Sequence, residues 1–145
     1  MHFARFRLPS PLWDAARQIR HAVFVVEQAC PPEEEWDAFD SEATHLLGFL
    51  DDEPMATARW RTVETADGPT AKLERFAVLG SHRGRGLGRG LVAQTLADAE
   101  AAGCRRFTMH AQAHLADFYA SMGFQRVGPE FDEVGIPHVM MVLIR

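Results

Sequence analysis

The sequence predicts a mixed α/β fold, one sheet with helices on its faces. Three observations carry that prediction. Strand-like alternation comes in hairpins toward both ends of the chain, which calls for antiparallel pairing there. Helical periodicity separates the strands in the centre, which calls for crossover connections. Between Val78 and Leu91 a strand-like run passes through a glycine-rich loop into a helix.

The elements follow in order. Ala4, Phe6 and Leu8 alternate with Arg5 and Arg7, the mark of a half-buried strand. Ser10-Pro11 reads as a helix start, and Leu12, Ala15, Ala16, Ile19 and Val23 then recur at helical spacing. Val23 to Val26 fits a helix end or a short extended segment equally well. Pro31 to Glu42 reads as a carboxylate-rich loop. Thr44 to Leu50 and Met55 to Arg61 are strands joined at the turn Asp51-Asp52-Glu53-Pro54. A turn at Asp67-Gly68-Pro69 leads to the strand ending near Leu79. A helix from about Gly88 to Ala102 shows Leu91, Val92, Leu96 and Ala99 on one face, with Gly103 as its C-cap. Arg106 to Ala111 is a strand, and Leu115 to Met122 a short helix closed by Gly123. Phe124 to Phe131 and Val139 to Ile144 are strands on either side of the turn Gly135-Ile136-Pro137.

At 145 residues, 47% apolar and 24% charged, the chain fits a single domain over residues 1–145 with a real core. A net charge of −5 argues against a nucleic-acid partner, despite the local run of arginines. No apolar stretch approaches the length of a membrane span, and the first residues lack the apolar core of a signal peptide. Two cysteines, Cys30 and Cys104, make no disulfide framework. The expected location is therefore cytoplasmic. Oligomeric state is left open, and a homodimer is compatible with the composition.

The glycine-rich loop suits a phosphate. Glycines permit tight turns and close approach, and a helix start offers free N–H groups to an anion. Arg83, Arg85 and Arg89 add charge. A Walker loop is excluded, because Arg89-Gly90 stands where Lys-Ser/Thr is required. The dinucleotide pattern fails in both registers, with Arg89 or Leu91 in place of its last glycine. What fits is Arg-x-x-Gly-x-Gly, at Arg83, Gly86 and Gly88.

That motif resembles the pyrophosphate loop of the GNAT superfamily of acyl-CoA N-acyltransferases. Three more stretches share the resemblance. Tyr119-x-x-x-Gly123-Phe124 ends a short helix as in the family's second motif. Val23 to Pro31, with Asp37, Asp40 and Ala43-Thr44-His45, resembles the N-terminal block of the ElaA-like subgroup, and Gly135-Ile136-Pro137-His138-x-Met140 its C-terminal signature. The resemblance implies a mostly antiparallel central sheet with helices on both faces. It implies acetyl-CoA as donor, an amine as acceptor, and direct attack in a ternary complex. The backbone of Ala77, Val78 and Leu79 would pair with the pantetheine arm, with an N–H near Val78 at the oxyanion. The pyrophosphate would rest on the amides of Arg83, Gly84, Arg85, Gly86, Leu87 and Gly88. Gln112 and Phe118 complete the donor site.

Tyr119, the only tyrosine, is placed by that motif to protonate the departing thiolate. The base has several candidates. Glu74 lies on the strand before the loop, where alternation with Arg75 lets only one of the two face a cleft. His138 follows a tight turn and carries the side chain that titrates nearest neutral pH. Glu27 and His45 would line the acceptor pocket, and a water chain would need no single base. No metal is expected, since His110-x-x-x-His114 lacks a companion glutamate and straddles a strand–helix junction. Cys30 has no activating neighbour for a covalent route. The carboxylates from Glu33 to Glu42 read as a solvated face, or as a field steering a cationic acceptor. Two rival functions remain: an acyl-CoA-binding sensor without turnover, and a nucleotide-binding protein using the same loop.

Overall fold

Residues 1–145 are described by a computed structural model. Seven strands form one sheet: β1 (His2–Phe6), β2 (Thr44–Leu50), β3 (Glu53–Thr65), β4 (Gly68–Val78), β5 (Arg106–Gln112), β6 (Gln125–Glu133) and β7 (Ile136–Ile144). Their order is β1-β2-β3-β4-β5-β7-β6. Every neighbouring pair is antiparallel except β4 and β5, which are parallel. The mixed, mostly antiparallel sheet read from the sequence is the one observed.

Helices cover both faces. On one face α1 (Trp13–Arg20) packs Ala16 and Ile19 against Phe6, Leu47 and Ala77. The helix starts later than Ser10-Pro11 suggests: its N-cap is Leu12, without a side-chain cap, and the Ser10 hydroxyl instead accepts from the Leu12 N–H at 3.1 Å in the turn ahead of it. The ambiguous run after it is neither an α-helix end nor a strand. His21–Glu27 forms a π-helix, a wider turn that is uncommon and often found near function. A short α2 (Pro32–Glu35) and a 3₁₀ turn over Ala38–Ser41 give form to the acidic segment.

On the opposite face lie α3 (Leu87–Ala101) and α4 (Ala116–Ala120). The apolar stripe of α3 is the one the sequence shows: Leu91, Val92, Leu96 and Ala99 are buried, joined by Thr95. Thr95 hides its hydroxyl by donating to the Leu91 carbonyl at 2.7 Å. This stripe closes the main core with Trp60, Leu73, Phe107, Met109 and Val139. Gly103, at φ 101°, ends the helix in a left-handed residue as expected.

Period-two alternation gives β3 to β7 two unlike faces. One sends Trp60, Leu73, Phe107, Met109 and Met141 into that core. The other carries Arg59 and Arg61 on β3, Lys72 and Glu74 on β4, His110 and Gln112 on β5, and His138 on β7. This second face is the floor of the candidate site.

Candidate active site

The site begins with a separation between two strands. β4 and β5 pair only where Ala71 meets Phe107 and Lys72 meets Thr108. Beyond that they diverge toward their C-terminal ends, the edge of a parallel pair at which ligands usually bind. The cause is a bulge in β4. Thr57 faces Ala77 and Arg59 faces Glu74, so Ala58 opposes two residues, Arg75 and Phe76. Arg75 has φ 58°, a left-handed conformation that costs a side-chain-bearing residue about 1–3 kcal/mol. The bulge also breaks strict alternation. Glu74 and Arg75 both line the cavity that fills the gap, where the sequence allowed only one of them.

The cavity holds about 510 Å³, enough for the tip of an acyl chain and a small acceptor. Tyr119, Phe76, Gln112, His110 and His138 are among its lining residues. On β4 its lining ends at Phe76, and the strand continues through Ala77 and Val78 to the loop. The Leu79 N–H bonds back to the Met55 carbonyl at 2.9 Å. Alternation then turns Ala77 and Leu79 toward β3 and Val78 toward the gap. Of the three residues expected to present backbone to a pantetheine, geometry favours Val78.

The loop has the amides that an anion requires. The Arg83 N–H bonds to Gly80 O, and the Gly90 N–H to Gly86 O. The amides between them, from Gly84 to Arg89, have no main-chain acceptor. Gly84 and Gly86 sit at φ 81° and 76°, so glycine is demanded there by the backbone itself. A Cβ on either would meet nothing within 4 Å. Leu87 and Gly88 then form the first turn of α3, whose dipole adds positive potential. The arginines divide their work. Arg85 is exposed. Arg89 donates to the Ser121 hydroxyl at 2.7 Å and lies over the Phe118 ring. Arg83 is a clasp: its Nε donates to the Val78 carbonyl at 3.0 Å, and its two Nη atoms meet the Glu27 carboxylate at 2.6 and 3.0 Å. Glu27, expected in the acceptor pocket, lies outside the cavity and secures the glycine-rich loop instead. The extra width of the π-helix brings it there and brings Gln28 to within 3.0 Å of Gln112.

Tyr119 is only 6% exposed, packed among Phe76, Phe118 and Phe124. Burial pushes its phenol up to about 12, with no hydrogen bond among the causes. It remains a protonated donor at any ordinary pH. Glu74 is the opposite case. Burial would raise its carboxyl, but the Arg59 charge and hydrogen bond outweigh this and, with Arg61, hold it below the usual range. Arg61 Nε lies 2.6 Å from it, and Arg59 also pairs with it. A carboxylate so engaged is a weak proton acceptor, so the geometry disfavours Glu74 as base.

His138 is 6% exposed and held on both sides. Its Nδ1 lies 2.7 Å from the Ile136 carbonyl, which can only accept, so Nδ1 carries a proton. Nε2 faces Glu133 Oε2 at 3.5 Å, while Glu133 Oε1 bonds His110 Nδ1 at 3.0 Å. Phe131 packs against both imidazoles. The His110 hydrogen bond holds Glu133 below its ordinary value against burial, aided by the charges of His110, His138 and Lys72. Glu133 escaped the sequence reading. Its signal was the spacing Phe131-x-Glu133, which sets both side chains on one face opposite His138.

Two further expectations are corrected. His45 does not line the cavity. It is 1% exposed, its Nε2 bonds the Asp40 carbonyl at 2.9 Å, and it stacks on Phe6 beside Trp13. The acidic segment is no wholly solvated face either: Glu35 and Asp40 are buried. Arg20 binds them at 2.7 Å each, and Arg59 binds Asp37 and Asp40 at 2.7 Å. Arg20 and Arg59 are the buried counter-ions that draw these acids inward. Cys30 lines the cavity, but burial and then the Glu35 charge push its thiol up, away from nucleophilic thiolate.

A mixed sheet parted between two parallel strands, with free amides at the end of the gap, is the frame of an acyl-CoA-dependent transferase. The family model of the acetyltransferase (GNAT) domain matches residues 15–145, and the chain belongs to that family. It is 38% identical over 126 residues to the uncharacterized N-acetyltransferase YjcF of Bacillus subtilis, covering 86% of each protein. Its structure resembles the crystal structure of Escherichia coli ElaA, with TM-score 0.86, 32% identity and 99% of each chain covered. An acyl-CoA N-acyltransferase from Pseudomonas aeruginosa is as similar in shape, with TM-score 0.86, 30% identity and 98% of each chain covered. No helix is long and apolar enough to cross a membrane.

Proposed function

We propose that the protein, one domain over residues 1–145, transfers the acetyl group of acetyl-CoA to an amine by direct attack in a ternary complex. One observation carries this reading: β4 leads from the cavity lined by Phe76 and Tyr119 to the row of free amides from Gly84 to Arg89. Amides at one end suit a diphosphate, and an unpartnered phenol at the other suits a leaving thiolate.

The chemistry balances with few groups. A bound ammonium gives one proton to His138 Nε2 or to water. The free amine attacks the thioester carbon, forming the C–N bond, and the oxyanion rests on the Val78 amide. Collapse breaks the C–S bond, Tyr119 protonates the thiolate, and the amide nitrogen sheds its remaining proton. Tyr119 is then reprotonated from solvent, so the sum is amide, free CoA and one proton. Glu133 stabilises the imidazolium that forms at His138. Proximity of donor and acceptor in one cavity supplies a large part of the rate. The two free cysteines accord with a cytoplasmic setting.

Calorimetry with acetyl-CoA, CoA and ATP tests the donor, and thiol release over a panel of amines tests turnover. Acetyl-CoA should bind far better than ATP. Equal ATP binding overturns the donor assignment. Tight acetyl-CoA binding without turnover of any amine leaves a sensor, not an enzyme.

A further inference from the structure

The charges of the cavity floor are nearly all matched, and the exceptions say what the acceptor must carry. Arg61 has Glu74 at 2.6 Å, and Arg75 has Asp37 at 3.2 Å. Lys72 also lines the cavity and is partly buried, yet no carboxylate lies within ion-pair distance of it. Glu133 is the complementary exception. It is partly buried in the same cavity, with the two imidazoles beside it and the Lys72 charge acting on it from beyond ion-pair distance. The other unmatched acid, Glu34, is exposed at the rim, where a solvated charge is ordinary.

Lys72 and Glu133 feel each other's charge across the cavity without touching, so a ligand bearing both signs would pair with each at closer range. β4 and β6 are separated by β5 and β7, and the two residues are also staggered along the strands, Lys72 level with Thr108 and Val142 and Glu133 level with Ile136. Two long side chains reach into that span from its ends, which leaves room for a compact zwitterion. An apolar amine or a polyamine would set nothing against Lys72 and would bring extra positive charge beside it.

Resting on the acyl-transfer reading above, we infer that the acceptor is a small amino acid. Its carboxylate pairs with Lys72, and its amino group lies at Glu133 and His138. The carboxylate contact fixes the amine beside the imidazole that takes its proton. Selection against amines lacking an acid follows from the unmatched lysine they would leave behind.

The test is a thiol-release assay on matched triples: each amino acid, its carboxamide and its decarboxylated amine, at fixed acetyl-CoA. The free acid should show at least about tenfold higher kcat/KM than either partner, a preference of the size one lost ion pair gives. Lys72→Met should raise KM for the acid, change kcat little and abolish the preference, and Lys72→Arg should restore it. Melting curves show whether the variants are folded. Carboxamides or simple amines turned over as well as the acids overturn the inference and leave the acyltransferase reading intact. Calorimetric binding of the acids, carboxamides and amines covers the reverse case. Preference for the acid without turnover upholds the pocket and overturns the enzyme. Neither binding preference nor turnover overturns the inference.

Discussion

Tyr119→Phe is the sharpest test of the catalytic assignment, because the structure separates the hydroxyl's chemistry from its packing. The ring is held by Phe76, Phe118 and Phe124 with centroids 6.3, 5.1 and 6.1 Å away, and phenylalanine keeps all of these contacts. Burial alone raises the phenol to about 12, so removing the oxygen takes no stabilising bond away. The change in stability should stay within about 0.5 kcal/mol, or slightly favour the variant, since a poorly solvated hydroxyl is lost. The rate should behave differently. General-acid assistance contributes about 10²–10⁴-fold, and kcat should fall by that factor, roughly 2.7–5.5 kcal/mol of barrier. Acetyl-CoA affinity should be unchanged. The measurements are thiol release under saturating donor, calorimetry for the donor and urea denaturation for stability. A kcat within threefold of the parent, in a protein of unchanged stability, would refute the role of Tyr119 and return it to the core.

The other expectations follow from the same geometry. Gly86→Ala places a side chain at φ 76°, a strain of about 1–2 kcal/mol, and should weaken acetyl-CoA binding tenfold or more by calorimetry. Unaltered affinity would remove the loop from the phosphate site. Glu74→Gln leaves Arg59, which is fully buried, with one charge fewer, and should cost about 3 kcal/mol in urea denaturation. A large fall in kcat with stability intact would instead make Glu74 the base. Burial holds His45 below its ordinary value, so its folded form stays neutral where an unfolded imidazole, near ~6.5, takes up a proton. Its contribution is full above that pH and declines as pH falls toward the folded value. His45→Gln should flatten the loss of stability between about pH 7 and 5. An unchanged slope would show that the acid sensitivity arises elsewhere.

The framework was legible because its signals are local. The α3 stripe, the hairpins at Asp51-Asp52 and Gly135, and the glycines at the loop each state their geometry within a few residues. The site was legible where one segment builds it, as in the loop, and illegible where distant segments meet. Glu27 is bound to Arg83 across 56 residues and Glu133 to His110 across 23, and neither pairing leaves a trace in periodicity. The acidic segment misled for the same reason. Its neutralising arginines, Arg20 on α1 and Arg59 on β3, lie 20 and 19 residues from Asp40 in the chain. The bulge was invisible because arginine is no turn former, and a left-handed arginine is imposed by its surroundings rather than by its own preference.

Those surroundings explain how the acidic segment, whose Glu35 and Asp37 line the cavity, also shapes its opening. Arg75 holds its strained backbone because its side chain is fastened outside β4: Nη2 reaches Asp37 at 3.2 Å and the Glu35 carbonyl at 3.3 Å, and Nε faces Glu35 Oε1 at 3.4 Å. Asp37 and Glu35 are in turn fixed by Arg59 and Arg20, both almost wholly buried. A strain of about 1–3 kcal/mol is small beside the cost of breaking such a buried network, so the network dictates the backbone and not the reverse. The bulge then turns the end of β4 away from β5 and opens the gap proposed to receive the acyl chain. The carboxylates between Pro31 and Glu42 thus act on the reaction through the strand they pin, more than through any field they present to solvent.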